Sequence, residues 1–326
     1  MKIIDMVCML NEEEFIDDFY KHNLPLVDKM IVAEGAVVGY PFCTKDCRSI
    51  DNTNSLLSQW KLVYPNKIEI VRVDRKWRSK QEQQNSMLKY VNDGDWCWIF
   101  GADEFYMPND RKRLTDLLRK HPQVTEITWP TIHFFNDDKH MITNSEFNTP
   151  KMIRREQRFF KYEVKRAMIY INHPTINAMS PMNVDTFFHE SCAETKLNLG
   201  MEKRFEKHKY RSDLIGIWDY SKESIVYRYH YGFIRDPLQR LYKHVYYLIR
   251  DRSMSFNEAI DFLMDKTDNN VNTIYGYINQ IHQTRDISIS EFHGKHPLQG
   301  IQWKKSQINL EDIKKKYDDF NEIPRK

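Results

Sequence analysis

Two adjacent carboxylates, Asp103 and Glu104, stand directly behind a short apolar run, Trp96-Cys97-Trp98-Ile99-Phe100. A run that short and that apolar reads as a strand buried on both faces. The carboxyl ends of such strands are where open α/β sheets place their ligands. Carboxylate oxygens are hard ligands that suit Mg²⁺ or Mn²⁺, and those cations in turn bind phosphates. The plain alternative is a solvated acidic turn after a strand. Further along, His230 in Tyr227-Arg228-Tyr229-His230-Tyr231 offers an imidazole that suits Mn²⁺, or is simply a hydrogen-bonded residue at a strand end. Arg235 and Lys243 follow closely. They carry the charge to meet a diphosphate, or else line a solvated helix face.

The elements that must position these groups can be read along the chain. Residues 3–10 form an apolar run broken only by Asp5, a first strand, and Asn11-Glu12-Glu13-Glu14 has the form of an N-cap that starts a helix. Residues 29–33 and 68–73 read as the second and third strands. Ser79-Lys80-Gln81-Glu82 repeats the capping pattern and opens a helix to about Val91, with Met87, Leu88 and Val91 on one face. The 96–100 strand follows. Strand and helix in this rhythm predict a parallel, doubly wound sheet. After Pro108 a helix is expected over 110–120, a strand pair or one long strand over 124–135, and antiparallel strands with one wet face over 151–172. Asp236-Pro237 starts a strong helix with Pro at its first position. Ser255 and Glu258 cap another over 256–266, and 270–283 and 309–320 complete a helical tail.

Bulk properties narrow the class. With 326 residues the chain can bury one large α/β core or two small ones. A net charge of +3 gives no electrostatic case for nucleic acid. The 18 Tyr and 18 Phe suit sugar or base stacking as well as core, and Trp129, His133, Phe134 and Phe135 are a candidate sugar platform. Cys43 and Cys47 have no second pair at zinc-site spacing, so no structural zinc is expected, and Cys8 and Cys97 read as apolar filler. Charges interrupt every apolar run, and no charged leader precedes the first strand. A cytoplasmic protein, at most peripheral to a membrane, is the expectation.

Four features in order resemble the family-2-like glycosyltransferases of GT-A fold. They are the strand followed by Asn11-Glu12-Glu13, a strand ending in Glu34, the Lys80-Gln81-Glu82-Gln83-Gln84-Asn85 helix, and Gly101-Ala102-Asp103-Glu104-Phe105, which is similar to the family's Asp-x-Asp motif. Phe188-His189-Glu190, Tyr229-His230-Tyr231-Gly232, Lys243 and Tyr246-Tyr247 resemble a bacterial branch that builds lipopolysaccharide cores and surface glycans. The resemblance covers about residues 1–250. It implies a GT-A-like, doubly wound, mostly parallel sheet with antiparallel acceptor-side strands and a C-terminal helical region. The catalytic domain would span 1–235, with 1–107 for the nucleotide sugar and 108–235 for the acceptor, and 236–326 would be a helical extension packed on it.

The same resemblance implies transfer of a sugar from a nucleoside-diphosphate donor to a glycan or other hydroxyl, with inversion and with Mn²⁺ or Mg²⁺. Asp103 inherits the metal role, with Glu104 and His230 as further metal candidates. Glu34, Lys80, Asn85, Ala102, Asp103, Arg235 and Lys243 become candidate donor contacts. Gly101 stands where the family carries its first, ribose-contacting Asp. Glu190 is the candidate base that takes the acceptor's proton, with Asp137, Asp138 and Asp185 in reserve. The basic clusters 75–80, 154–158 and 202–211 suit phosphorylated or acidic ligands, or are wet surface. Phe292-His293-Gly294-Lys295-His296-Pro297 is either a lid over the diphosphate or a turn between helices. Two rival readings remain. One is a glycan-binding scaffold on a degenerate fold, suggested by Gly101. The other is a sugar nucleotidyltransferase, disfavoured because the turn after the first strand has no glycine.

Overall fold

The computed structural model describes residues 1–122, 126–129, 131–135, 137–142, 152–154, 167–171, 215–219, 226–267, 277, 288–298 and 306–317. Thirteen strands are described: β1 (Ile3–Met9), β2 (Lys29–Glu34), β3 (Ile68–Val71), β4 (Trp96–Phe100), β5 (Glu104–Phe105), β6 (Glu126–Thr128), β7 (Thr131–Phe135), β8 (Asp137–Ile142), β9 (Met152–Arg154), β10 (Ala167–Ile171), β11 (Ile215–Asp219), β12 (Arg228–Phe233) and β13 (Ile289–Glu291). The helices are α1 (Ile16–Asn23), α2 (Thr53–Val63), α3 (Lys80–Asn85), α4 (Asp110–Lys120), α5 (Pro237–Arg252), α6 (Phe256–Thr267) and α7 (Leu310–Tyr317).

One sheet runs β11-β10-β6-β9-β4-β1-β2-β3, and every pairing is parallel except those that β9 makes with β4 and β6. The second sheet, β13-β8-β7-β12-β5, is mixed, with β7 and β12 parallel and the other pairs antiparallel. This is the mostly parallel α/β architecture expected from the strand–helix rhythm, but of the strands expected to be antiparallel over 151–172 only β9 is so, while β10 pairs parallel with both β6 and β11. Central strands β1, β2 and β4 are buried almost throughout. That double burial is what their unbroken apolar runs require. Asp5 is fully buried within β1, where burial, reinforced by the charge of Glu104, pushes its carboxyl well above the usual range.

Local expectations fare unevenly. Ser79 caps α3 as its spacing predicts, with Oγ accepting from Glu82 N at 3.1 Å. The helix nevertheless ends at Asn85 and gives way to a 3-10 turn over Leu88–Tyr90, with Met87 and Val91 in the core. Ser255 and Glu258 form a full capping box, and Asp236 caps α5 through Leu238 N. Asn11 does not cap a helix. It takes a left-handed φ of 55°, and α1 starts only at Ile16. Its side chain instead accepts from Ile50 N and donates to Phe42 O, tying the first turn to the loop after β2. The 124–135 segment is a strand pair split between the two sheets, β6 in one and β7 in the other. Helix α2 has no counterpart in the sequence reading. The expected 270–283 helix falls almost wholly outside the described residues.

The C-terminal helices form their own apolar cluster. Leu241, Tyr242, Val245 and Leu248 of α5 pack with Phe256, Ile260 and Leu263 of α6 and with Leu310 and Ile313 of α7. Phe42, from the loop after β2, joins this cluster and stacks on Tyr242 with ring centroids 3.9 Å apart. The helical extension therefore packs on the loop that overhangs the first two strands.

Candidate active site

At the carboxyl end of β4 the chain turns sharply through Gly101 and Ala102 into Asp103 and Glu104. Glu104 holds that turn: its Oε2 accepts from Gly101 N at 2.9 Å, and its Oε1 lies 3.4 Å from Arg228. A Cβ on Gly101 would sit 2.9 Å from Asp103 Oδ1 and 3.0 Å from Glu104 Cγ. A side chain at Gly101 would therefore crowd the two carboxylates that follow it.

Asp103 is 6% exposed. Its Oδ2 receives Lys243 Nζ at 3.3 Å, Arg235 Nη1 at 3.8 Å and His230 Nε2 at 3.7 Å. Burial alone would raise its pKa, but Lys243, His230 and Arg235 together hold it well below the usual carboxylate range. Backbone pairing places these partners. Tyr231 N donates to Asp103 O at 2.9 Å, so the start of β12's exit is fixed against the Asp103 turn. Gly232 closes the corner, because a Cβ there would lie 2.7 Å from Asp103 Oδ2, His230 Cε1 and His230 Nε2.

Four of the residues singled out in the sequence therefore converge: Asp103, His230, Arg235 and Lys243. They differ in access. Lys243 keeps 40% of its side chain exposed, whereas Arg235 keeps 1%. Arg235 grips Glu12 Oε2 at 2.6 Å, reaches Asn11 O at 3.4 Å and lies over the Phe15 ring at 5.4 Å. It clasps the turn after β1 to the turn after β4, with almost none of its side chain open to solvent. The sequence reads Glu12 and Glu14 only as part of a helix start, not as site residues. Glu14 accepts from Asp236 N with both oxygens, and burial pushes its carboxyl up to about 7.

The other candidates are placed as follows. Glu34 is fully buried at the end of β2. Its Oε1 accepts from Ser49 N and Oγ, and its Oε2 lies 3.5 Å from Arg48 and 3.4 Å from Arg72. A ligand approaching that strand end meets the two arginines before the carboxylate. Gln83 donates to the carbonyls of Ala33 and Gly35, pinning α3 to the same edge, so exposed Lys80 and half-buried Asn85 stand beside it. Ala102 is buried, which leaves only its backbone to meet a donor. Asp137 is bound by His140 Nδ1 at 2.8 Å, and Asp138 is half-buried on β8. Glu190, Asp185 and the 202–211 cluster lie outside the described residues.

Two alternatives left open by the sequence resolve toward a structural role. Trp129, His133, Phe134 and Phe135 are all buried and form core, not a sugar platform. The loop Phe292-Pro297 does not cover Asp103. His296 stacks on Phe134 at 4.6 Å and its Nδ1 lies 3.3 Å from Tyr231 Oη. Phe134 and Tyr231 are the pleat neighbours of His133 and His230 and so point to the opposite face of the sheet. The loop packs on that far side.

No family model matches the chain, and no curated protein matches it. Among solved structures it is similar to residues 1–349 of TarS from S. aureus, with 14% identity, 87% of this chain and 72% of that one covered, and a TM-score of 0.39. It is also similar to the mannosyltransferase PcManGT from Pyrobaculum calidifontis in complex with GDP-Man and Mn²⁺, with 12% identity, 86% and 69% covered, and a TM-score of 0.40. A third is glucosyl-3-phosphoglycerate synthase from Mycobacterium tuberculosis with Mn²⁺ and UDP-glucose, at 15% identity, 41% and 44% covered, and a TM-score of 0.28. Values this low leave function to the chemistry of the site. Among the described residues no helix is long and apolar enough to cross a membrane.

Proposed function

We propose that the protein is a glycosyltransferase that takes a sugar from a nucleoside-diphosphate donor and passes it, with inversion, to the hydroxyl of a glycan or similar acceptor. What carries this reading is the buried Asp103 carboxylate at the carboxyl edge of the parallel sheet, with Lys243, Arg235 and His230 converging on one of its oxygens. A divalent cation, Mn²⁺ or Mg²⁺, fits this corner. Asp103 Oδ2 and His230 Nε2, a carboxylate oxygen and an imidazole nitrogen, face each other at 3.7 Å, and Gly232 leaves no side chain to crowd them. Asp103 and His230 would hold the ion. The described residues contain no cluster of three or more His, Cys, Asp or Glu that could hold a metal, so phosphate and water would complete its shell. Bound there, the cation would offset the charge that grows on a departing diphosphate.

The chain's own groups share that work. Lys243 extends an ammonium into the cleft, where it can leave Asp103 for a phosphate oxygen. Arg235 stays enclosed and keeps Asp103 and Glu12 in register. Arg48 and Arg72, gathered on Glu34, line the strand ends beside α3, where Lys80 and Asn85 also stand. Glu190 is retained as the proposed base, on the family resemblance alone. A carboxylate in that role takes the acceptor's proton and contributes typically ~10²–10⁴-fold in rate.

One observation favours a second reading. Lys243 already sits 3.3 Å from Asp103 Oδ2 and could meet the diphosphate with no divalent cation present. A thermal-shift panel of UDP, GDP, CDP and dTDP, each with and without Mn²⁺, separates the two. Stabilisation by one nucleotide that requires Mn²⁺ supports the first reading, and equal stabilisation without Mn²⁺ supports the second. No stabilisation by any of them overturns both.

A further inference from the structure

His133 and His230 stand side by side in register on the parallel strands β7 and β12. Their imidazoles meet through the two Nδ1 atoms at 2.9 Å, with ring planes crossing at 73° and centroids 4.7 Å apart. This leaves the other nitrogen of His230, Nε2, facing Asp103 Oδ2. His133 is 5% exposed and lies behind His230, too deep to touch a ligand. Two imidazole nitrogens at this distance share one hydrogen, so His230 Nε2 is open to a cation only when His230 Nδ1 donates and His133 Nδ1 accepts.

The consequence is orientational. A histidine held only at its outer nitrogen can turn about its side-chain bonds and present either edge to the cleft. His230 cannot do so without breaking a buried hydrogen bond. Histidines that bind metals ordinarily have their second nitrogen fixed by a carboxylate, a carbonyl or water. Here another histidine, 97 residues away in sequence, occupies that place. We infer that His133 is a positioning residue of the centre: it fixes the ring and the tautomer of His230 so that Nε2 faces the Asp103 corner. This rests on the reading of Asp103 and His230 as the residues that hold the cation.

The test is calorimetric titration of Mn²⁺ into the full chain with no donor present. His133→Phe removes the nitrogen and keeps an aromatic ring. It should weaken Mn²⁺ binding by about 10–100-fold, the usual effect of losing a partner behind a metal ligand. His133→Asn, whose amide sits near the position of Nδ1, should retain affinity to well within that loss. A second measurement needs no variant: ¹⁵N spectra of the histidine-labelled wild type should show a coupling across the hydrogen bond between the two Nδ1 nuclei. Unchanged Mn²⁺ affinity in a folded His133→Phe chain, or absence of that coupling, overturns the inference and leaves the functional reading intact. A wild type that binds no Mn²⁺ overturns this inference together with the cation-dependent reading.

Discussion

Replacing Gly232 with alanine is the smallest change that tests the geometry of the centre. The new Cβ would stand 2.7 Å from Asp103 Oδ2, His230 Cε1 and His230 Nε2 at once. Nonbonded carbon contacts are most favourable at about 3.5–4.0 Å, so something must retreat by the better part of an ångström. Neither neighbour is free to do so. His230 is held from behind by His133 at 2.9 Å, and Asp103 is engaged by Lys243 at 3.3 Å while its carbonyl accepts from Tyr231 N. Overpacking of this kind costs about 1–3 kcal/mol. For a chain of this length that corresponds to a fall in Tm of roughly 1.5–4.5 °C. The methyl also occupies the space between the two atoms proposed to hold the cation, so Mn²⁺ affinity measured by calorimetry should fall with it. Gly94→Ala is the control. Gly94 has a φ of +82° with nothing within 4 Å of its would-be Cβ, so alanine there meets only backbone strain, about 1–2 kcal/mol, and should leave Mn²⁺ binding unchanged. A Gly232→Ala protein that melts and binds Mn²⁺ like the wild type would refute the packing argument outright.

Other perturbations address separate parts of the site. Asp103→Asn should eliminate Mn²⁺-dependent nucleotide stabilisation in the thermal-shift panel, while Arg235 remains neutralised by Glu12 at 2.6 Å and preserves the fold by circular dichroism. Glu190→Gln should lower turnover by about 10²–10⁴-fold with donor affinity little changed; near-normal turnover would remove it as the base. Glu14 gives a pH signature. Its folded pKa, about 7, is raised by burial above the ordinary 4.5, so the folded state holds the extra proton between those values. The associated stability is complete below about 4.5 and is lost as pH rises through about 7. Glu14→Gln, which keeps an acceptor for Asp236 N, should therefore gain in Tm relative to wild type across that window. A difference that stays constant with pH would show that Glu14 does not titrate there.

Much of this arrangement was legible in the sequence because it is locally encoded. The apolar runs of β1, β2 and β4 needed only their length and their boundaries. The caps at Ser79, Asp236 and Ser255 are short-range hydrogen bonds announced by spacing. The corner at Asp103 followed from its place behind β4, His230 and Lys243 from the family resemblance, and Arg235 from its nearness to them in the chain. What stayed hidden depends on distant partners. Helix α2 is rich in Ser, Thr and Asn, which favour turns, and is helical because Leu57 is buried and Trp60 stacks on Tyr20 of α1 at 5.0 Å. Asn11-Glu12-Glu13-Glu14 looks like a helix start, but Phe42, Ile50, Arg235 and Asp236 claim its polar groups first. Glu34 was expected to face a ligand, and only the fold brings Arg48 and Arg72 onto it. No pattern in the chain marks His133 as the neighbour of His230, since β-strand register is a tertiary fact.

Asp236 has a further hold on the molecule, through Ser306: its Oδ2 accepts from Ser306 Oγ at 2.6 Å, while Glu14 receives its backbone N–H. Arg235, the residue before it, reaches inward to Asp103, and Lys243 reaches the same carboxylate from two turns further along α5. The tail is consequently wired into the electrostatics of the cleft. Shortening the chain ahead of Arg235 would strip both cations from one carboxylate and bare Phe42. A tilt of α5 moves the Lys243 charge against an Arg235 held by Glu12, so the pose of the C-terminal bundle adjusts the voltage at the sheet's edge.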